Sequence, residues 1–420
     1  MKITKIKTAR IGNSLVLRVC TDKGIDGYSQ FENTKVEYIG SIVPFFESLI
    51  VGCDPTNVKD IMRRIRRNGA FKPWGAVVSC IEIACLDITG KEYGIPVHKL
   101  LGGKVRDAVR VYTGSYRTKE SLRIEKETGE VKFTAYSKSG SPEELGESML
   151  ALRESEAGIT MCKTAIGWHG RNFWENQGIY DYAFNTYSIS GAYGGYSKGS
   201  LVTKKGLDAC VDYVRRLRET VGDKIDFALD CGPGFAPSDA LRLARELEPF
   251  HVMWLEDTIA GDYTPYTMAQ VYRDITMKTS TPIHTGEQIY LKENFRELIE
   301  GQCVNVVGPD PLDVGGLMEM VFIAEYADLH GIGMAPHGVF DGVFGMAAEM
   351  HEAAAMPNNF IGFEFPGALP GFWYDIVTGL PDQLVVNGCM PVWDKPGLGV
   401  EFDIPKAEKY LSEADKDFFK

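Results

Sequence analysis

The sequence predicts an α/β fold in which a barrel of parallel strands follows a smaller α+β domain. From residue 109 onward, short apolar runs typical of buried strands alternate with segments of helical periodicity. Several of these runs end in a polar residue. In a parallel β/α barrel all strands open their carboxyl ends on one face, where catalytic residues collect. At 420 residues the chain has room for a barrel and a second domain.

The composition narrows the class of protein. Hydrophobic residues make up 44% of the chain and charged residues 24%, which is ordinary for a globular protein. A net charge of −12 argues against nucleic acid or an anionic membrane as partner, although a bound divalent cation would still admit an anionic small molecule. No apolar run approaches the roughly 18 residues of a membrane span, and the N-terminus lacks a signal-peptide core. The nine cysteines are scattered without a Cys-x-x-Cys pair, so we expect reduced, buried thiols in a cytoplasmic protein.

The N-terminal elements are predicted from periodicity. KITKIKTARI and SLVLRVCT form two strands, and residues 27–38 (GYSQFENTKVEY) form a loop because they show no clean period. Helical spacing from about Lys35 to Leu49 is interrupted by Pro44. The clearest helix covers Ala76 to Tyr93. Asp87 lies on it among apolar neighbours, so we expect a buried hydrogen-bonding group there, not a catalytic one.

The barrel elements follow in order. Ser141 is expected to cap the first barrel helix, with Pro142 at its first position. Residues 168–201 are rich in Tyr, Gly and Ser and are expected to form a lid; the alternative is a surface elaboration or an oligomer contact. The expected strands are VRVYTG, ITMCKTAIG (ending near Lys163), KIDFALD, HVMWLE, TPIHTGE, CVNVVGPD, GIGMAP and NFIGFEF. The domains are then 1–104 (the α+β domain), 105–370 (the barrel) and 371–420 (a loop-rich segment that packs back on the first domain).

Three acidic residues end successive strands: Asp230 in FALDCG, Glu256 in VMWLED and Glu287 in PIHTGEQ. A lone acid at a strand end is ordinarily a cap or a surface charge. Here three strands in succession each bring one carboxylate to the same rim, where the three would repel one another without a cation between them. Carboxylate oxygens are the hard ligands that suit Mg²⁺. The sequence therefore predicts a Mg²⁺ site.

Asp310 and His337 follow the next two strands, each directly after a proline. A carboxylate beside an imidazole orients the ring and raises its pKa, which makes it a better general base. Mg²⁺ chelated by a substrate carboxylate would stabilise the negative charge that develops when an α-proton leaves. The alternative for His337 is a purely structural hydrogen bond.

The motifs ALDCGPG, WLED, TGEQ, VVGPDPLDVGG and APHG resemble the enolase superfamily, in its mandelate racemase-like branch. The likeness covers nearly the whole chain, through SCIEIACLDITGK, KLLGG and PGLGVEFD. It implies a TIM-type (β/α)7β barrel with an N-terminal α+β capping domain, and a homo-oligomer. It also implies chemistry in which Mg²⁺ stabilises an enediolate. The resemblance implies the metal ligands Asp230, Glu256 and Glu287 and the basic dyad His337–Asp310. It also implies that Glu364 donates a hydrogen bond to the substrate carboxylate. Taken alone, Glu364 could equally be a buried structural acid.

Two departures from that branch carry information. The branch usually has Lys-x-Lys at the end of strand two, but here the residues are Lys163, Thr164 and Ala165, so the second lysine is missing. Lys163 is expected to contact the substrate carboxylate or support the site electrostatically. The missing lysine disfavours a racemase with two opposed bases. Gly232 stands where the family often has Asn, so one expected polar substrate contact is also absent.

One base and an enediolate suit β-elimination of water. We therefore expect a lyase that dehydrates a sugar acid, an aldonate or aldarate, to a 2-keto-3-deoxy acid. The acid that protonates the leaving hydroxyl could be His337 itself, or a tyrosine or His169 from residues 168–201. The alternatives are an epimerase, racemase or cycloisomerase acting on a related carboxylate, and a non-catalytic barrel that binds sugar acids.

Overall fold

The fold is described from a computed structural model. It covers residues 1–11, 14–31, 39–69, 74–114, 122–124, 131–133, 141–167, 202–232, 234–259, 268–338, 342–366 and 371–420. The predicted lid at 168–201, with His169, lies outside these residues.

The N-terminal part forms an antiparallel sheet of three strands in the order β1-β2-β3, covered by helices. The first two strands were predicted. The third, Gly27–Gln30, was not, because these residues were expected to form a loop. All four of its residues are buried, so its sequence lacks the alternation that marks a half-exposed strand. The elements are β1 (Ile3–Ile11), β2 (Ser14–Thr21), β3 (Gly27–Gln30), α1 (Val43–Ile50), α2 (Val58–Ile65), α3 (Trp74–Tyr93) and α4 (Val97–Leu100).

Pro44 and Asp87 show how this part is built. Pro44 lies in the first turn of α1 and does not interrupt a helix, because that turn has no partner for the missing N–H. Asp87 on α3 has the structural role expected of it. Its carboxylate accepts hydrogen bonds from the backbone N–H groups of Tyr28 (3.0 Å) and Leu398 (2.9 Å), and it pairs with Lys91.

A curled parallel sheet forms the second part, which confirms the predicted α/β class. Six strands pair in the order β12-β11-β10-β9-β8-β7, and β13 pairs with β4 in parallel. Parallel bridges join Thr113 to Cys162 and Met334 to Phe360, which link β4 and β13 to the two ends of the six-stranded sheet. The strands are β4 (Ala108–Tyr112), β7 (Met161–Ala165), β8 (Asp226–Asp230), β9 (Leu255–Glu256), β10 (Ile283–Thr285), β11 (Val306–Val307), β12 (Gly333–Met334) and β13 (Phe363–Glu364).

Helices alternate with these strands as the sequence predicts. Ser141 caps the first of them in a capping box with Glu144, and Pro142 begins it. A 3₁₀ turn at Lys292–Asn294 leads into the short helix Arg296–Glu300. The helices are α5 (Pro142–Glu154), α6 (Lys204–Val221), α7 (Pro237–Glu246), α8 (Ala269–Thr276), α9 (Arg296–Glu300), α10 (Leu317–Leu329) and α11 (Val343–Ala355).

The remaining elements are short. β5 (Leu122–Ile124) and β6 (Val131–Phe133) form an antiparallel pair. The last part contains α12 (Phe372–Ile376), β14 (Val377–Thr378), β15 (Cys389–Pro391), β16 (Glu401–Phe402) and α13 (Ile404–Ala407). Turns of 3₁₀ helix cover Ile39–Ile42, Arg66–Gly69, Glu248–Phe250, Lys292–Asn294, Glu408–Tyr410 and Glu413–Asp415.

The C-terminal segment contacts the first sheet. Lys7 donates from Nζ to the carbonyl oxygen of Asp417 at 2.9 Å, and Ile11 forms a bridge with Leu411. All nine cysteines are free thiols, and all but Cys53 and Cys389 are buried. Within the described residues, no helix is long and apolar enough to cross a membrane.

Candidate active site

The predicted site residues lie at or just beyond the carboxyl ends of the parallel strands. Asp230 ends β8 and Glu256 ends β9, and the two are direct neighbours in the strand register. Glu287 follows the end of β10, while Asp310 and His337 follow β11 and β12. Since parallel strands point the same way, these side chains share one rim of the sheet.

Lys163 lies in the centre of this group, inside β7 and not at its end, because β7 continues to Ala165. Its Nζ atom is 2.6 Å from Oε1 of Glu256, 2.9 Å from Oε2 of Glu364 and 3.7 Å from Oδ2 of Asp230. Its side chain is buried. Burial alone would lower the pKa of Lys163, but the charges of Glu256, Glu364 and Asp230 raise it well above its ordinary value. Lys163 is therefore a fixed positive charge among the carboxylates.

His337 bridges two carboxylates. Its Nδ1 atom is 2.7 Å from Oδ2 of Asp310, and its Nε2 atom is 2.9 Å from Oε2 of Glu287. Oε2 of Glu364 lies 3.8 Å from the same Nε2. Asp310 is itself held in place, because its other oxygen accepts a 2.7 Å hydrogen bond from the backbone N–H of Leu312. The Nδ1 atom thus faces the orienting carboxylate, and Nε2 faces the rim.

The pKa values of the two glutamates beside Lys163 shift in opposite directions. Burial raises the pKa of Glu364 above its ordinary value, against the opposing charges of Lys163 and His337. Burial would also raise the pKa of Glu256, yet the charges of Lys163 and His284 leave it below its ordinary value. Protonation is therefore easier for Glu364 than for Glu256.

The three predicted metal ligands pair with protein groups in this structure. Across the described ranges, no three His, Cys, Asp or Glu side chains are arranged closely enough to hold a metal ion. Instead Glu256 binds Lys163 and Glu287 binds His337. The donor chemistry nevertheless fits Mg²⁺, since Asp230, Glu256 and Glu287 offer hard carboxylate oxygens from neighbouring strand ends. Glu256 would then hold both the cation and the ammonium group of Lys163.

Several residues that support the site were not predicted by the sequence analysis. Nε1 of Trp254 donates to Oε2 of Glu256 at 2.9 Å, and Nε2 of Gln288 donates to Oε1 of Glu287 at 2.6 Å. A Cβ atom at Gly114 would lie 2.3 Å from Oε1 of Glu364, so the glycine makes room for that carboxyl group. Strand alternation is the available signal for Trp254, because residues two apart on a strand face the same side.

Two family models match the chain. Residues 2–102 match the N-terminal domain of mandelate racemase and muconate lactonizing enzyme, and residues 149–407 match the enolase C-terminal domain-like family. The chain belongs to the enolase superfamily. The predicted resemblance is therefore confirmed, and it includes the mandelate racemase-like branch of the superfamily.

Relatives in the enolase superfamily extend over almost the full chain. The D-xylonate dehydratase of Haloferax volcanii is 29% identical and covers 99% of this chain and 90% of its own length. The D-galactonate dehydratase of Xanthomonas euvesicatoria is 27% identical, with coverages of 96% and 92%. Among solved structures, a mandelate racemase/muconate lactonizing enzyme-like protein from Rubrobacter xylanophilus superposes with a TM-score of 0.77 at 28% identity, covering 100% of this chain and 99% of its own.

Proposed function

We propose that this protein is a Mg²⁺-dependent dehydratase of sugar acids. It would remove the α-proton of an aldonate or aldarate and eliminate the 3-hydroxyl as water, giving a 2-keto-3-deoxy acid. The observation that carries the proposal is the pairing of His337 with Asp310 at 2.7 Å on an acidic rim where Ala165 replaces a second base. The dehydratases of sugar acids among the relatives support the same reaction class.

The proposed ligands of Mg²⁺ are Asp230, Glu256 and Glu287. When bound there, the cation would stabilise the negative charge that develops on the substrate carboxylate. Lys163 carries a buried positive charge suited to the same carboxylate. Glu364 would donate a hydrogen bond to it when protonated, and burial raises the pKa of this carboxyl group.

The proton transfers are assigned to His337. Its Nε2 atom takes the proton from the α-carbon, and the electron pair of that C–H bond forms an enediolate. Asp310 stabilises the resulting imidazolium through Nδ1. The bond from C3 to its hydroxyl then breaks, Nε2 returns the proton to the departing oxygen as water, and the enol product becomes the ketone. A tyrosine of 168–201 or His169 remains an alternative donor, outside the described residues.

Ala165 stands where a racemase of this branch would have its second base. Ala165 is two residues beyond Lys163 on β7, so both face the same side of the sheet, and Ala165 pairs in register with Asp230. A methyl group in that position cannot exchange a proton with the opposite face of the substrate. This supports elimination over a reaction that needs two opposed bases.

The architecture that we propose is a TIM-type (β/α)7β barrel over 105–370. The capping domain would be 1–104, and the segment 371–420 would pack against it. The alternation of eight parallel strands, β4 and β7 to β13, with seven helices, α5 to α11, supports this arrangement. We further propose a cytoplasmic homo-oligomer in which residues 168–201 form a lid, and no nucleic acid or membrane partner.

The decisive experiment incubates the protein with Mg²⁺ and a panel of sugar acids, and detects 2-keto-3-deoxy acids with semicarbazide. We expect product from one or a few members of the panel, and none after EDTA treatment or with His337→Asn. Deuterium uptake from solvent at the α-carbon without loss of water would instead favour an epimerase or cycloisomerase. Binding without any product or exchange, unaffected by His337→Asn, would identify a non-catalytic binding protein.

A further inference from the structure

A layer of aromatic side chains lies directly beneath the candidate active site. Trp254 lies immediately before β9 and two residues before Glu256, in extended backbone that still pairs with β8, so both side chains face the interior of the curled sheet. Its indole nitrogen donates to Oε2 of Glu256 at 2.9 Å. Nδ1 of His284 lies 3.6 Å from the same oxygen. Trp254 therefore holds this carboxylate oxygen from below, and His284 lies beside it.

The same layer reaches the loop of the proposed base. Nε2 of His284 donates to the carbonyl oxygen of Ala335 at 3.1 Å, and the hydroxyl of Tyr112 donates to that of Pro336 at 3.0 Å. These two carbonyl groups belong to the residues immediately before His337. The backbone that presents the imidazole is thus tied to the layer at two consecutive positions.

The three rings pack as one unit. The rings of Tyr112 and Trp254 meet edge to face at a centroid distance of 5.4 Å, and those of Trp254 and His284 stack at 5.1 Å with an interplanar angle of 19°. All three side chains are buried. A Cβ atom at Gly308 would lie 2.1 Å from Nε2 of His284, so the glycine on the neighbouring strand leaves the space that the imidazole occupies.

We infer that Tyr112, Trp254 and His284 form a positioning layer that sets Glu256 and His337 relative to each other. Tyr112 acts on the base loop, Trp254 acts on the carboxylate, and His284 contacts both. This inference rests on the proposed function, in which Glu256 binds Mg²⁺ and His337 is the base. Groups that orient metal ligands from behind commonly change metal affinity or activity by roughly 10- to 100-fold when removed.

A layer that served only packing would behave differently. Its loss would lower the melting temperature but would not separate metal binding from catalysis. The positioning role predicts such a separation, because Trp254 and Tyr112 hold different parts of the site. The test therefore uses Trp254→Phe, which keeps a ring but removes the N–H donor, and Tyr112→Phe, which removes only a hydroxyl.

Binding of Mn²⁺ is measured by electron paramagnetic resonance, alongside steady-state kinetics and melting. For Trp254→Phe we expect the Kd for Mn²⁺ to rise roughly 10- to 100-fold. For Tyr112→Phe we expect unchanged Mn²⁺ affinity. We expect kcat to fall by roughly two- to tenfold, which corresponds to the loss of one neutral hydrogen bond. Trp373→Phe is the matched control. Trp373 is also buried, but it packs in a hydrophobic cluster that contains none of the three layer residues, so the substitution should leave Mn²⁺ affinity unchanged.

The outcomes separate the two proposals. Mn²⁺ binding by the wild-type protein with unchanged affinity in Trp254→Phe would overturn the positioning layer and leave the proposed function standing. Failure of the wild-type protein to bind Mn²⁺ would refute the proposed metal site and the layer's role with it. Should Trp254→Phe not fold, an unchanged kcat in Tyr112→Phe would overturn the inference by itself.

Discussion

Nδ1 of His337 lies 2.7 Å from Oδ2 of Asp310, and this contact joins the loops after two neighbouring strands. Because an ionised carboxylate only accepts hydrogen bonds, Nδ1 carries a proton towards Asp310, while Nε2 faces the rim beside Glu287. Asp310→Asn should therefore lower kcat by roughly 10²- to 10⁴-fold, since an amide neither fixes this tautomer nor stabilises the imidazolium.

The matched control for that substitution is Asp394→Asn. Asp394 also accepts from an imidazole, with 2.9 Å between its Oδ1 atom and Nε2 of His98, but this pair lies outside the candidate site. Its loss should leave kcat unchanged. Steady-state kinetics on the substrate found in the panel would check both variants, and similar kcat values for the two would contradict the dyad.

Lys163→Met should separate substrate binding from metal binding. The ammonium group lies 2.6 Å from Oε1 of Glu256, so its positive charge would oppose that of a cation held by Glu256. Without it we expect Mn²⁺ affinity to be retained or increased, while turnover falls by roughly 10²-fold because a charge that stabilises the substrate carboxylate is lost. Titration with Mn²⁺ and kinetics measure the two effects.

The control for Lys163→Met is Lys204→Met, because Lys204 pairs with Asp208 on the exposed surface. It should change neither quantity. Loss of Mn²⁺ binding in Lys163→Met would instead mean that the main role of Lys163 is to hold Glu256 in place.

Ala165 predicts that the protein exchanges the α-proton on one face of the substrate. With no second base on β7, a proton can leave and return on only one face of the α-carbon. Substrate recovered after partial turnover in D₂O should therefore contain no C2 epimer, while the product carries solvent deuterium at C3. Nuclear magnetic resonance of the recovered substrate and the product would check this. Appearance of the epimer at a rate close to that of dehydration would refute it.

Glu82 predicts a pH dependence of stability. Its buried carboxyl group accepts hydrogen bonds from the backbone N–H groups of Leu317 (2.6 Å) and Met318 (3.2 Å), and burial raises its pKa to about 8. The ordinary pKa of glutamate, about 4.3, applies to the unfolded chain. Between these values the unfolded chain releases the proton and the folded chain keeps it. This carboxyl group therefore makes the folded state less stable as the pH rises through that window.

Glu82→Gln removes that titration. The free energy of unfolding of the variant relative to the wild type should increase from about pH 5 to about pH 8, by up to about 1.4 kcal/mol per pH unit. Urea unfolding at several pH values measures this difference in free energy of unfolding. The contributions of all other titrating groups largely cancel in it, because both proteins contain them. A constant difference across this range would show that Glu82 does not retain its proton on folding.

Local sequence patterns were enough to predict the acids at the rim. Asp230 and Glu256 each follow an apolar run, so their position at a strand end could be predicted without any tertiary contact. The cap at Ser141 and the helix around Asp87 could be predicted for the same reason, since capping and helical periodicity are properties of neighbouring residues. The buried strand Gly27–Gln30 was missed because a strand covered on both faces shows no alternation.

Only the tertiary structure decided which of these groups meet. Lys163, Glu256 and Glu364 come from separate strands, and their contacts depend on strand order and on the curl of the sheet. The support of Glu256 by Trp254 likewise depends on which face of the strand turns inward. By itself the sequence determined the family, the α/β class and the chemical types at the rim. The pairing of charges and the aromatic layer beneath them required the fold, because both arise from contacts between residues far apart in the chain.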